Sequence, residues 1–179
     1  MSNPGEMAGL VPVIETTRLL LRAHRASDFD DCARMWGDPA IVRHIGGKPS
    51  TPDESWSRIL RYAGLWSLLG FGYWALEEKA SRRFVGEAGF ADFKRDLEPS
   101  IGGMPEIGWA LASWVQGKGF ATEAVGAVVA WGDVHFGSIP TVCLIHPDNA
   151  ASIRVAEKSG YRELMRTAYK GSPTILFRR

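Results

Sequence analysis

Gln116-Gly117-Lys118-Gly119-Phe120-Ala121-Thr122-Glu123 reads as a glycine-rich turn that runs directly into a helix. Glycine accepts backbone conformations that other residues resist, and the first N–H groups of a helix have no partner within it. Successive amides can therefore converge on an anion at the positive end of the helix dipole, with the Lys118 ammonium and the Thr122 hydroxyl near enough to assist. A plain helix-opening turn meets the same pattern, so the stretch alone leaves an anion cradle and a structural turn both open. A nucleoside-triphosphate loop is disfavoured, because its lysine precedes Ser or Thr whereas Lys118 precedes Gly119. A dinucleotide fingerprint fits poorly: Thr122 stands where Gly or Ala is wanted, and the next strand closes on Ile145-His146 without an acidic residue.

Working outward from the turn, the spacing of apolar residues predicts a helix from Phe120 to Phe136, a strand over Thr141–Ile145 and a helix from Asn149 to Ser159 ended by Gly160. Strands over Tyr161–Tyr169 and Thr174–Arg178 follow, forming a hairpin around Gly171–Pro173. Upstream of the turn, Gly72–Lys79, Arg83–Phe93 and Pro105–Leu111 read as an antiparallel meander. Before it come a strand at Arg18–Ala23, a helix capped by Ser27, and a second helix opened by the capping box Thr51-Pro52-x-Glu54. The seven Trp suggest no ligand cage, since Trp36, Trp56 and Trp66 fall on helical apolar stripes. The elements make a mixed-sheet α/β protein. Residues 1–13 read as a flexible N-terminal lead and 14–179 as a single domain.

Composition narrows the function. Lys and Arg total 21 against 20 Asp and Glu, so no net field gathers nucleic acid or an anionic membrane. No stretch reaches the roughly 18 apolar residues that a membrane span needs. The two cysteines, Cys32 and Cys143, make no disulfide framework or zinc site, and a reducing cytoplasm suits them. The four histidines form no metal-ligand spacing and read as structural, so no metal is expected.

With these residues in view, Gln116-x-x-Gly119-x-Ala121 resembles the acetyl-CoA signature of the GNAT superfamily of N-acetyltransferases, at the strand-to-helix junction the family requires. Asn149-Ala-Ala-Ser152-Ile-Arg154-Val-Ala-Glu157-Lys158-Ser-Gly160-Tyr161 is similar to a second block of that family, in the right order. The opening Glu15-Thr-x-Arg18-Leu19-x-Leu21-Arg22 resembles the branch holding the ribosomal-protein N-terminal alanine and serine acetyltransferases. The resemblance runs from about Glu15 to Arg179. It implies a mixed, mainly antiparallel sheet flanked by helices, with a V-shaped splay between central strands. It further implies that the amides from Gln116 through Gly117, Lys118, Gly119 and Phe120 to Ala121 hold the pyrophosphate of acetyl-CoA. The strand around Trp109 and Leu111 would pair with the pantetheine arm.

Acetyl transfer from a thioester to an amine needs a neutral amine, a polarised carbonyl and a proton for the departing thiolate. Asn149 and Ser152 share a helix face, which the family sets beside the thioester sulfur, so Ser152 is the candidate to hydrogen-bond or protonate the thiolate. Many family members carry a tyrosine acid seven residues after the Asn; here Ala156 stands there. Glu106 alternates with Gly108 and Ala110 on one strand face and is the candidate base, directly or through water, with Glu87 the second choice. The acceptor is read as a primary amine, a protein N-terminus or a small molecule, and the assembly as a monomer or homodimer. A non-catalytic acyl-CoA-binding sensor on the same fold is the competing reading, ahead of a dinucleotide-dependent oxidoreductase.

Overall fold

Thr51 opens the longest helix by the reciprocal exchange its sequence implies. Its hydroxyl accepts the Glu54 N–H (3.3 Å), while the Glu54 carboxylate accepts the Thr51 N–H (2.8 Å). Pro52 fills the first helical position, and the helix ends where Gly70 turns left-handed at φ 73°. In this computed structural model, which describes residues 10–179, five helices are formed: α1 (Phe29–Trp36), α2 (Pro39–Val42), α3 (Pro52–Leu69), α4 (Phe120–Phe136) and α5 (Ala150–Lys158).

The strands are β1 (Ile14–Glu15), β2 (Leu19–Arg22), β3 (Tyr73–Glu78), β4 (Phe84–Ala91), β5 (Glu106–Leu111), β6 (Val142–Ile145), β7 (Arg162–Tyr169) and β8 (Ser172–Arg178). They form one sheet in the order β1-β2-β3-β4-β5-β6-β8-β7. Neighbours run antiparallel except β5 and β6, which are parallel and meet at a single register pair, Glu106 beside Val142. Beyond that point the two strands diverge, which is the V-shaped splay. β7 and β8 close through a two-residue turn, with Tyr169 opposite Ser172.

Helices cover both faces. On one, Cys32, Met35 and Trp36 of α1, Ile41 and Val42 of α2 and Ile59 of α3 bury against Ala75, Phe84 and Ala110. On the other, Phe120, Ala124, Val125 and Val128 of α4 and Ala156 of α5 bury against Leu19, Leu21, Trp74, Leu76, Phe90 and Ile107. β4, central to both layers, is buried along its whole length. Trp66, Trp74 and Trp131 meet edge to face with centroids 4.7 to 5.6 Å apart, a geometry that favours aromatic contact beyond area alone. Trp56 departs from its expected core role: it is 38% exposed and meets Phe29 edge-on.

One local expectation is corrected, and two stretches gain detail. Ser27 does not cap α1; Ala26–Asp28 form a 3-10 turn, and the Asp28 carboxylate faces Arg22 (2.8 Å to each terminal nitrogen) and the Arg25 amide (2.7 Å). A buried guanidinium draws the carboxylate inward, and Glu77 (2.8 Å) completes its surroundings. Between the two expected helices lies α2, started by the Asp38 carboxylate accepting the Ala40 N–H (2.9 Å); four residues are too few to show a period. Of the expected lead, residues 1–9 lie outside the described residues, but Val11 is buried and the Pro12 carbonyl accepts the Trp74 indole N–H (2.7 Å). Among the described residues no helix is long and apolar enough to cross a membrane.

Candidate active site

At the junction of β5 and α4, Gly117 and Gly119 take φ values of 75° and 80°, the left-handed region that glycine enters without penalty. A side chain on Gly117 would meet nothing within 4 Å, so the turn presents bare backbone. Glu123 is the first residue of α4 whose N–H reaches a helical carbonyl, that of Gly119 (3.2 Å). The amides of Gly119, Phe120, Ala121 and Thr122 thus have no backbone acceptor among the described residues, as the geometry of a helix start dictates. The expected cradle is narrower than the sequence suggests, because the Gln116 and Lys118 N–H groups are turned inward to Ser113 (3.2 Å) and Val115 (3.4 Å). Lys118 leans toward the Trp114 ring (5.8 Å).

The turn is clamped from the N-terminal strand region. Arg18 donates to Glu123 (2.6 Å) and to the Lys118 carbonyl (2.8 Å), lies over the Phe120 ring (4.2 Å), and offers its own N–H to Glu123 (2.7 Å). The Thr16 hydroxyl adds a bond to Glu123 (2.6 Å). Burial disfavours the charged Glu123 carboxylate, yet Thr16 and Arg18 outweigh it and hold the group below its ordinary value. The Thr16 and Arg18 positions belong to the opening stretch singled out by resemblance, but spacing gave no hint that they brace a turn a hundred residues away.

The splay lies alongside. From Ile107 to Leu111, β5 has no strand partner on the β6 side among the described residues, so the backbone around Trp109 and Leu111 presents an unpaired edge. Across the V, Asn149 begins α5, and its side-chain oxygen accepts the Ser152 N–H (3.1 Å). Ser152 is half-buried and its hydroxyl has no protein partner among the described residues. Ala156, where a tyrosine acid is absent, is fully buried in the core. His44 and His146 stack at the end of β6 (centroids 5.5 Å), an encounter of distant residues that sequence spacing does not reveal.

Glu106 begins β5 at the vertex of the V. It is 6% exposed and forms a two-pronged pair with Arg95, with Nε to Oε2 at 2.5 Å and Nη2 to Oε1 at 2.7 Å. Beside the pair is a cavity of about 250 Å³ lined by Phe93, Arg95, Ile101, Met104 and Glu106 among others. The space expected next to Gly108 is filled: the Tyr73 hydroxyl occupies the place a side chain on Gly108 would need. Burial and then the nearby Glu106 and Glu87 carboxylates raise the Tyr73 phenol, so it stays a donor. Arg95 and Tyr73 were not found from sequence, because each acquires its position through a loop or a neighbouring strand.

Glu87 is a buried core carboxylate, not a solvated one. Its Oε1 accepts from the Trp36 indole (2.5 Å) and the Tyr62 hydroxyl (3.2 Å), and its Oε2 lies 3.1 Å from His24 Nε2 and 3.7 Å from Cys32 Sγ. With no exposure and four donors about it, Glu87 has no room to meet an acceptor. His24, Cys32 and Glu87 bring three potential metal-ligand atoms within 4.8 Å of one another, which spacing hides. Burial, reinforced by Glu87, raises the Cys32 thiol well above its ordinary value.

With this geometry in hand, comparison with known proteins is informative. The family model for the acetyltransferase (GNAT) domain matches residues 18–162. YoaA of Bacillus subtilis (strain 168), named as an uncharacterised N-acetyltransferase, is 24% identical over 155 residues, 86% of this chain and 85% of its own. A solved structure described as a GnaT-family acetyltransferase from Bordetella pertussis superposes with a TM-score of 0.82 at 32% identity, covering 94% of this chain and 99% of its own. RimL, a ribosomal L7/L12 alpha-N-protein acetyltransferase solved in complex with coenzyme A, shares the fold with a TM-score of 0.74 at 19% identity, covering 94% and 97%.

Proposed function

The chain belongs to the acetyltransferase (GNAT) domain family, and from that membership we propose that it moves an acetyl group from acetyl-CoA to a primary amine, a protein N-terminus or a small molecule. The observation that carries the cosubstrate is the coincidence of a helix start whose amides have no backbone acceptor with an unpaired strand edge at its side. Four converging amides suit a pyrophosphate, and the free edge at Trp109 and Leu111 suits the amide groups of a pantetheine arm. When bound, acetyl-CoA supplies the thioester; the remaining chemistry is proton handling by the chain.

An ammonium acceptor loses one proton before its lone pair can attack and a second as the amide forms, while the thiolate gains one. Glu106, directly or through a water, is the acceptor for the first. A carboxylate has about four lone-pair positions and Arg95 occupies two, so Glu106 keeps capacity for an incoming amine. Ser152, half-buried with an unengaged hydroxyl, is the donor toward the sulfur, on a turn fixed by Asn149. Transfer is direct, since burial raises both the Cys32 and the Cys143 thiols and leaves neither as a nucleophile. The ribosomal-protein acetyltransferases among the fold neighbours favour a protein N-terminus as one acceptor to try.

The test is thiol release from acetyl-CoA over a panel of peptides, amino acids, polyamines and aminoglycosides, with the N-acetyl product identified by mass. Release coupled to product supports the reading. Tight acetyl-CoA binding with no product from any amine overturns it in favour of a sensor.

A further inference from the structure

From Phe93 and Arg95, which line the cavity beside Glu106, a strip of alternating cations and aromatic rings extends outward. The Arg61 guanidinium lies over Phe93 (5.3 Å), Arg95 lies over both Phe93 (4.9 Å) and Tyr169 (4.8 Å), and Lys170 lies over Tyr169 (5.5 Å). Two carboxylates there are already matched: Asp92 with Lys94 (2.5 Å) and Glu106 with Arg95. Asp96 and Glu98, on the same loop, form no ion pair with this strip, and among the described residues Arg61 and Lys170 have no carboxylate partner.

Resting on the acetyl-transfer reading, the geometry points to an acceptor that carries a carboxylate, held by Arg61 with help from Lys170 while its amine faces Glu106. Arg61 is exposed yet its guanidinium is laid against aromatic faces, which orients a planar fork that matches a carboxylate. Lys170 is exposed in the tight turn between β7 and β8, its backbone at φ 50°. The attraction is local, since a chain of formal net charge +1 has no global field to draw an anion. Arg61 and Lys170, the strip's two cations without a carboxylate partner among the described residues, repel a polycationic acceptor, which sets polyamines and aminoglycosides against this site.

Matched amines test the inference: L-glutamate against its diamide, and C-terminally amidated Ser-Asp-Asp peptides against Ser-Asn-Asn peptides, with spermidine as a cation. The carboxylate member of at least one pair should show at least a roughly tenfold higher kcat/KM, and the pair that responds distinguishes a small acceptor from an acidic N-terminus. Arg61→Met should abolish the preference by raising KM for the carboxylate member alone, with acetyl-CoA affinity unchanged. Equal use of both members, faster turnover of spermidine, or an Arg61→Met effect on both members alike overturns the carboxylate site and leaves the transferase reading standing. If no amine releases thiol, calorimetry of the Ser-Asp-Asp peptide on coenzyme-A-loaded protein decides the site separately. Arg61-dependent binding sustains it while the transferase reading falls; no binding overturns both.

Discussion

Arg95 and Glu106 meet fork to fork, eleven residues apart in sequence and joined by two bonds of 2.5 and 2.7 Å at the head of β5. The pairing fixes the carboxylate in one plane, because a guanidinium is rigid and its donors diverge at a set angle. Phe93 and Tyr169 against Arg95 make that plane stiffer still.

Glu106→Gln retains the shape and removes the proton acceptor. We expect kcat/KM to fall roughly 100-fold near neutral pH, the low end for general-base catalysis, with partial recovery at high pH where solvent deprotonates the amine. Wild-type kcat/KM from about pH 6 to 9 on a true acceptor would remove Glu106 from the reaction and leave a water held by backbone groups, since Glu87 is sealed in the core.

For Ser152→Ala the expected signature is a lower kcat with acetyl-CoA affinity largely intact, because a hydroxyl facing the sulfur matters most as charge develops there. The Ser152 backbone N–H donates to the Asn149 side-chain oxygen, a bond that does not involve the Ser152 hydroxyl and survives the change, so α5 stays capped. Pre-steady-state kinetics showing unchanged chemistry would discard the role.

Gly119→Val places a β-branched residue at φ 80°, with its Cβ 3.4 Å from the Arg18 guanidinium. Acetyl-CoA affinity should fall at least about tenfold, equivalent to about 1.4 kcal/mol, by calorimetry on a variant whose circular dichroism is native. Unchanged affinity would move the cradle elsewhere.

Asp28→Asn removes one of the two carboxylates around buried Arg22. Burial opposes the charged form of Asp28, but Arg22 and the Arg25 amide outweigh it and hold the carboxyl below its ordinary value when folded. A group depressed in the folded state stabilises above its unfolded pKa, about 3.9, and loses that contribution as pH falls through the folded value. The variant should therefore be about 3 kcal/mol less stable at pH 7, with the gap to wild type closing as the solution is acidified below pH 4. A constant gap in denaturant titrations across that range would contradict the assignment.

Much of this architecture is legible in the chain because local rules and tertiary packing agree. Thr51, Pro52 and Glu54 fix a helix start through contacts within four residues, and α4 begins and ends where its glycines stand. The glycine turn is equally local. What escaped the sequence depends on distant partners: Arg95 reaching Glu106 from a loop, Tyr73 filling the space at Gly108, and Arg18 bracing Glu123 from the other end of the chain. Glu87 shows the same limit, since its neighbours Trp36, Tyr62 and His24 come from three separate segments and seal a residue that stands second among the candidate bases.

The single pairing of β5 with β6 gives the sheet an inner margin, a row of strand groups that ends in a slot and not at the rim of the molecule. Open margins at a rim invite another chain to add itself and aggregate, whereas this one lies between neighbouring strands of the same sheet. On the proposed acetyl-CoA reading, a ligand in the slot would bridge two half-sheets, and its concentration would govern how firmly they are joined. Melting temperature should climb with the logarithm of that concentration once the site is saturated, and amides on either side of Ile107 to Leu111 should exchange with deuterium more slowly in step.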